Sequence, residues 1–518
     1  MKKLTLTIML VFAIATGASA QQETGKRNTQ GEPVIHLRSC RVGTPNPQFA
    51  PHRAPSLQGG ENPYVGNRHQ LVVLASFQDQ DFAEDHEATL QKWEKIFNAE
   101  NYAEGRFFGS LHDYFMAQSY GQFNLTFDIH LIELPGGRSK YRSTYSHDEN
   151  SQYMVDDIVD VLLTQDIDWS LYDWDGDAFV DQLLIVYAGP GMNTGEPNTI
   201  WPHQWWLSQH LNMETEDPID HRSFRTVMQG DKEYYVDCYC CVQEVVNVSS
   251  IQTSFGTICH EYSHCFGFPD FYYGGSTKVV GNWDLMDNGN YNGLGFLPCN
   301  YSAHERMLMG WLTPVELTSS TTVTDMPALI DEPVAYLIRN DGAENEYYFV
   351  ENRQQRGWDE KLPGSGILVF HIDYDKDIWH STTTYTNTSE KKRYQLFAAN
   401  NKPTVGASNG WAYPFVTEDA FGNISIANDS LTNTSEPAAT LNNPNLDGQL
   451  LMSKPITHMA VDANGLASFV FMEETTTPVH DVKNGQERVA SMYDLQGRRL
   501  SKPTKGLYIQ GNKLRIKK

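Results

Sequence analysis

Residues 260–270 read His-Glu-Tyr-Ser-His-Cys-Phe-Gly-Phe-Pro-Asp, a stretch holding the side chains needed to bind a metal ion and use it. On a helix, His260 and His264 are four residues apart and project from one face, where two imidazoles hold one cation. Glu261 lies beside them, placed to take a proton from water at that ion without ligating it. Gly267 permits a backbone conformation closed to other residues, and Pro269 stops the helix from resuming. Asp270 thereby becomes available as third ligand, carboxylate oxygen being an ordinary zinc donor at catalytic sites. A rival third ligand is Glu305, in Ser302-Ala303-His304-Glu305-Arg306. The bare His-Glu-x-x-His arises by chance and is a moderate signal; the extension to Gly267 and Asp270 makes it specific.

The elements that must carry these residues are legible from periodicity. Leu71-Val72-Val73-Leu74-Ala75 and Leu183-Leu184-Ile185-Val186-Tyr187 are apolar runs suited to interior strands. Helical spacing appears at Leu90, Trp93, Ile96 and Phe97, at Leu111, Tyr114 and Phe115, and at Met154, Ile158, Val161 and Leu162. Phe123 to Ile129 alternates like a half-exposed strand. The alternation predicts an α/β fold, a mixed sheet flanked by helices, with the metal-binding helix starting near Thr253. From residue 319 closely spaced threonines, β-branched residues and turn formers predict a mainly antiparallel β domain, and a small basic β-rich tail ends the chain. His371 and Asp373, on one strand of that domain, read as structural, since no third ligand stands at suitable spacing.

Between helix and strand lies Asp173-Trp174-Asp175-Gly176-Asp177-Ala178-Phe179-Val180-Asp181. Carboxylates at alternate positions around a turn glycine resemble a shortened calcium loop, lacking the bidentate Glu of an EF-hand. Asp173, Asp175, Asp177 and Asp181 are therefore candidate calcium ligands in a stabilising role, with a plain acidic turn as the competing reading.

Lys2 and Lys3, an apolar run from Leu4 to Ala15 and Ala18-Ser19-Ala20 form the pattern of an export signal over residues 1–20, so the mature protein is expected outside the cytoplasm, secreted or held at the cell surface. Residues 21–66 are polar and rich in Pro, Gly and Gln, as a propeptide or linker is. The catalytic domain is expected over 67–318, the β domain over 319–474, and a linker with a sorting-type tail over 475–518. Net charge is -25, with 64 acidic against 39 basic residues, which argues against nucleic acid as a partner. Of 7 cysteines, Cys238, Cys240, Cys241, Cys259, Cys265 and Cys299 cluster around the metal motif and could pair in an oxidising compartment, the sequence allowing fifteen connectivities and showing none of them. Cys40, left over, sits where its thiolate could occupy an open zinc position and hold a zymogen latent; an ordinary free thiol is the alternative.

Together, Gly109 to Phe127, Asp173 to Gly189, His260 to Tyr272, Asn282 to Asn288, Trp311 to Pro314 and Tyr347 to Asp373 resemble the immune inhibitor A family of secreted bacterial zinc metalloproteases. The resemblance implies a metzincin-like domain with zinc at His260, His264 and Asp270, and Glu261 as general base for an attack by activated water on peptide bonds. Metzincins end the motif in a third His, where this chain has Asp270, and they place a Met in a tight turn below the metal, as Met286 would be. Tyr291 follows and is either an oxyanion donor or a packed tyrosine. The tail from 475 is similar to type IX secretion signals, which implies secretion machinery as a partner beside protein substrates. The competing reading is a non-catalytic adhesin or binding protein on a protease-like scaffold.

Overall fold

The computed structural model describes residues 62–142, 150–209, 224–246, 253–273, 277–381, 384–402, 404, 409–473 and parts of 492–517. The expected signal segment and Cys40 lie outside the described residues.

Strand β1 (Gly66–Ser76) leads into helices α1 (His86–Asn98) and α2 (Leu111–Gln118), and then β2 (Phe123–Glu133) pairs in parallel with β1. Helix α1 forms where its apolar period buries Trp93, Ile96 and Phe97, and Asp85 caps it by accepting from Ala88 N. Helix α2 begins in a reciprocal capping box between Ser110 and Asp113. After α3 (Ser151–Leu162) come β3 (Phe179–Val180), β4 (Leu183–Pro190), β5 (His203–Trp206), β6 (Arg225–Gln229), β7 (Lys232–Val236) and β8 (Cys238–Val245).

The five-stranded sheet runs β2-β1-β4-β8-β5, parallel except for β5 at the edge, which is antiparallel to β8. It is the mixed sheet expected from the sequence. Seven of the eight residues of β4, and likewise of β8, are buried, as strands covered on both faces must be. Helix α4 (Phe255–Cys265) packs on β8, and its Tyr262 hydroxyl donates to Gln70 of β1 (2.8 Å). Helix α5 (Ala303–Leu308) follows.

The β-rich half supplies β9 (Val315–Glu316), β10 (Thr321–Met326), β11 (Tyr336–Asn340), β12 (Ala343–Arg353), β13 (Gly366–Asp373), the short helix α6 (Lys376–Trp379) and β14 (Tyr394–Leu396). Its main sheet runs β14-β13-β12-β11-β9 and is antiparallel apart from the β9–β11 edge. A hairpin, β15 (Phe415–Glu418) with β16 (Ile424–Asn428), and the strands β17 (Ile456–Val461) and β18 (Ala467–Phe471), which join β10, complete it.

One apolar core contains Leu71, Phe115, Ile258 and Trp283 together with Phe349, Phe370, Trp379 and Tyr394, so packing continues without a break across position 318. A smaller core under the β-rich half gathers Val323, Ile338, Val350 and Phe469. The described residues up to Glu473 make one compact unit. The described residues beyond Glu474 make a second, in which β19 (Met492–Tyr493), β20 (Arg499–Leu500), β21 (Gly506–Gln510) and β22 (Lys513–Lys517) form an antiparallel sheet. Among the described residues no helix is long and apolar enough to cross a membrane.

Candidate metal centre

Helix α4 is buried on nearly every side, with only His264 part-exposed. Such burial demands small residues where other backbone passes close. A Cβ built at Gly256, in the first turn, would stand 1.9 Å from the carbonyl oxygen of Asn290. The helix ends at Cys265, and Gly267 (φ +90°) turns the chain in the left-handed region, its N–H donating to His264 O at 2.8 Å. A side chain there would also collide with His380.

That turn brings Asp270 back over the helix. Asp270 Oδ1 lies 3.3 Å from His260 Nε2 and 3.4 Å from His264 Nε2. Two donors bound at 2.0–2.1 Å in tetrahedral geometry stand about 3.3 Å apart, so these atoms already have the spacing of a shared zinc ion. His264 Nε2 and Asp270 Oδ1 are buried and make no hydrogen bond, a costly arrangement unless a cation joins them. Glu261 is buried beside them, and its carboxylate and the two imidazoles offer atoms that all lie within 4.8 Å of one another.

The far ring nitrogens set the tautomers. His260 Nδ1 donates to Leu285 O (2.9 Å) and His264 Nδ1 donates to Phe268 O (2.7 Å). A carbonyl only accepts, so each Nδ1 carries a proton and each Nε2 faces the cluster, with its lone pair available when the ring is neutral. Burial opposes charge on His260, yet Asp270 and Glu261 outweigh it and raise the imidazole to about 9. Burial likewise pushes Asp270 up, but the two histidines hold its carboxyl well below the usual carboxylate range. A cation at this spot competes with a proton for His260, so its binding weakens as pH falls.

The turn below the cluster supplies support. Met286 is fully buried, its carbonyl accepts from Phe271 N (2.9 Å), and its own N–H is held by Asp284 Oδ1 (2.8 Å). Burial raises the Asp284 carboxyl to about 7, with Asp287 adding to the rise while Tyr394, Met286 N and Arg353 oppose it. In the unfolded chain an aspartic acid ionises near ~3.9. Between those values the unfolded chain has released the proton and the folded one keeps it, so this group's contribution is fully present below pH ~4 and is lost as pH rises through 7. Asp284→Asn is expected to flatten the fall in unfolding temperature from pH 4 to 7, an effect on the order of a few kcal/mol. Thermal unfolding across a pH series checks this, and an unchanged slope would count against it.

Residues 69–309 match the family model of the immune inhibitor A peptidase M6 catalytic domain. They belong to the immune inhibitor A peptidase family. This gives the chain a metallopeptidase domain, for which the family implies a metal and protein substrates. No curated protein matches the chain.

Several expectations change within and around this peptidase domain. Glu305, the rival ligand, is instead the N3 residue of a capping box: its Oε2 accepts from Ser302 N (2.7 Å) and from Ser302 Oγ (3.0 Å) at the start of α5. The pattern Ser302-x-x-Glu305 was the sequence signal for that role. The six clustered cysteines are buried free thiols rather than disulfides, although Cys238 and Cys265 stand with their sulfurs 3.8 Å apart. Close sequence spacing puts cysteines into one core but does not bring pairs to bonding geometry.

In the acidic loop, Asp173, Asp175 and Asp177 offer oxygens within 4.8 Å of one another. Asp173 also caps the amides of Gly176, Asp177 and Ala178, which shapes the turn. Asp181 stands inward and buried, accepting from Trp174 N (2.6 Å). Tyr291 is part-buried in the 3₁₀ segment Gly289–Gly295. His371 pairs with Glu346 (2.6 Å) and Asp373 with Lys391 (2.7 Å). Residues that the sequence did not single out, Asn387 and Tyr394, touch the segments carrying the ligands.

Proposed function

We propose that this protein is an exported, zinc-dependent endopeptidase in which His260, His264 and Asp270 hold the metal and Glu261 is the general base. The observation that carries the reading is the triangle of Nε2 and Oδ1 atoms at 3.3 and 3.4 Å, with both histidine Nδ1 atoms committed to backbone carbonyls. Zinc, when bound, supplies a Lewis acid that polarises the scissile carbonyl and acidifies water. Glu261 accepts the proton of the attacking water and returns it to the leaving amine, a shuttle that suits a buried carboxylate adjoining the ligands. His260 and His264, locked by their carbonyl partners, would hold the ion through their Nε2 atoms.

The same reading has a stabilising calcium ion at Asp173, Asp175 and Asp177 with Asp181 beside them, where a cation would relieve the repulsion of these close carboxylates. It also has the chain leaving the cytoplasm through residues 1–20, with the carboxyl-terminal unit addressed to secretion machinery.

A chelation experiment on the mature protein tests both ions. A zinc chelator is expected to reduce casein hydrolysis to background, and stoichiometric zinc to restore it. Hydrolysis that persists in zinc-free protein would overturn the assignment, and zinc-loaded protein without hydrolysis would favour the binding-protein alternative. A calcium-selective chelator is expected to lower the unfolding temperature while zinc content stays constant; an unchanged unfolding temperature would remove calcium from the reading.

A further inference from the structure

The matched peptidase residues end at 309, yet the ligand-bearing chain is held from beyond that point. Asn387 is fully buried and all four hydrogen-bonding positions of its amide are used. Its Nδ2 donates to Phe271 O (2.7 Å) and to Tyr394 O (2.8 Å), and its Oδ1 accepts from Arg393 N (2.8 Å) and Tyr394 N (2.9 Å). Phe271 directly follows the ligand Asp270. The Phe271 ring stacks on Tyr394 with centroids 3.8 Å apart and planes at 12°. Asn387 and Tyr394 thus grip the backbone and the side chain of one residue, leaving Asp270 little freedom to swing away.

Tyr394 reaches the other side of the cluster too. Its hydroxyl lies 2.8 Å from Asp284 Oδ2 and 2.9 Å from Ser302 Oγ. Asp284 in turn holds Met286 N, and the neighbouring Leu285 carbonyl fixes the His260 ring. One short stretch at the start of β14 therefore anchors both the turn that orients His260 and the residue that follows Asp270.

We propose that Asn387 and Tyr394 are positioning residues of the metal centre, so that the β-rich half completes a site whose ligands all lie in the peptidase domain. This inference rests on the zinc reading above. Ligand orientation by outer hydrogen bonds changes metal affinity by about 10–100-fold when the outer partner is lost.

The test is the zinc affinity of the full chain by competition with a chromophoric chelator. Asn387→Asp keeps the shape but removes both donors and sets an anion against the carbonyls of Phe271 and Tyr394. It is expected to bind zinc about 10–100-fold more weakly than the parent. Asn352→Ala is the control, because Asn352 is equally buried and also clamps two carbonyls, those of Met326 and Gly465, away from the ligand segments. It is expected to lower stability and leave zinc affinity unchanged. Equal loss of affinity in both variants, or parental affinity in Asn387→Asp, would overturn the inference while leaving the zinc reading in place. A parent that binds no zinc would overturn both. Should Asn387→Asp fail to fold, Tyr394→Phe, which retains the stack and loses only the hydroxyl, is expected to weaken zinc binding several-fold; unchanged affinity there would reject the role.

Discussion

Glu261→Gln is expected to hold zinc and to cleave casein about 10²–10⁴-fold more slowly than the parent, the range supplied by a positioned general base. The amide has nearly the shape of the carboxylate, so the buried helix surface it occupies should be preserved. It cannot accept the proton that the attacking water must lose. His260, His264 and Asp270 are untouched, which separates this variant from a substitution at one of them: zinc content is expected to stay at the parental level while turnover collapses. A second signature follows from electrostatics. Glu261 helps to raise His260, so its neutralisation lets that imidazole shed its proton more readily and moves downward the pH below which protons compete with zinc. Turnover, zinc content and the pH dependence of zinc binding together check the assignment. Near-parental turnover in Glu261→Gln would remove Glu261 from the chemistry.

The second large effect is on stability. Arg353 is fully buried at the end of β12, and its guanidinium grips Asp359 through Nε (2.8 Å) and Nη2 (2.7 Å), reaches Glu351 through Nη1 (3.1 Å) and caps Asn300 O (3.0 Å). The same two carboxylates accept from Asn300 N (2.9 Å) and Ala303 N (2.7 Å), so the network fastens the loop before α5 to the β-rich sheet. Within that loop Tyr301 hydrogen-bonds Ser263 of α4. Arg353→Met fills similar space but leaves two anions buried with no cation, and breaking a buried pair in this way typically removes about 3–5 kcal/mol. Against a usual total of about 5–15 kcal/mol, much of the protein's margin is lost. Adding Asp359→Asn to the variant is expected to recover part of the deficit, because one stranded charge is then gone. Denaturant unfolding measures both. A loss below about 1 kcal/mol in Arg353→Met would mean that the network is a minor contributor.

Reading the chain by period worked where the determining interactions are local. His260, Glu261 and His264 share a helix turn, and their relative placement follows from 3.6 residues per turn alone. The turn at Gly267 and the stop at Pro269 are backbone chemistry, so the return of Asp270 was also legible. The strands β1 and β4 declared themselves as apolar runs, and the α/β character followed from their alternation with α1, α2 and α3. Glu305 shows the limit of a carboxylate considered by type alone: beside a helix it is equally a ligand or a cap, and Ser302 three residues earlier decided the matter.

The amino-acid order by itself determined the chemistry available at residues 260–270, the helix that presents it and the class of fold around it. Only the tertiary structure decided that six neighbouring cysteines stay as thiols, that packing runs on past residue 318, that Asn387 and Tyr394 hold Phe271 and Asp284, and that Arg353 ties the loop before α5 to the β-rich sheet. The physical reason is separation along the chain. Asn387 meets Phe271 across 116 positions, and a polar side chain carries no local mark of the distant carbonyl it will satisfy. Burial creates that obligation only once the sheets have closed over it.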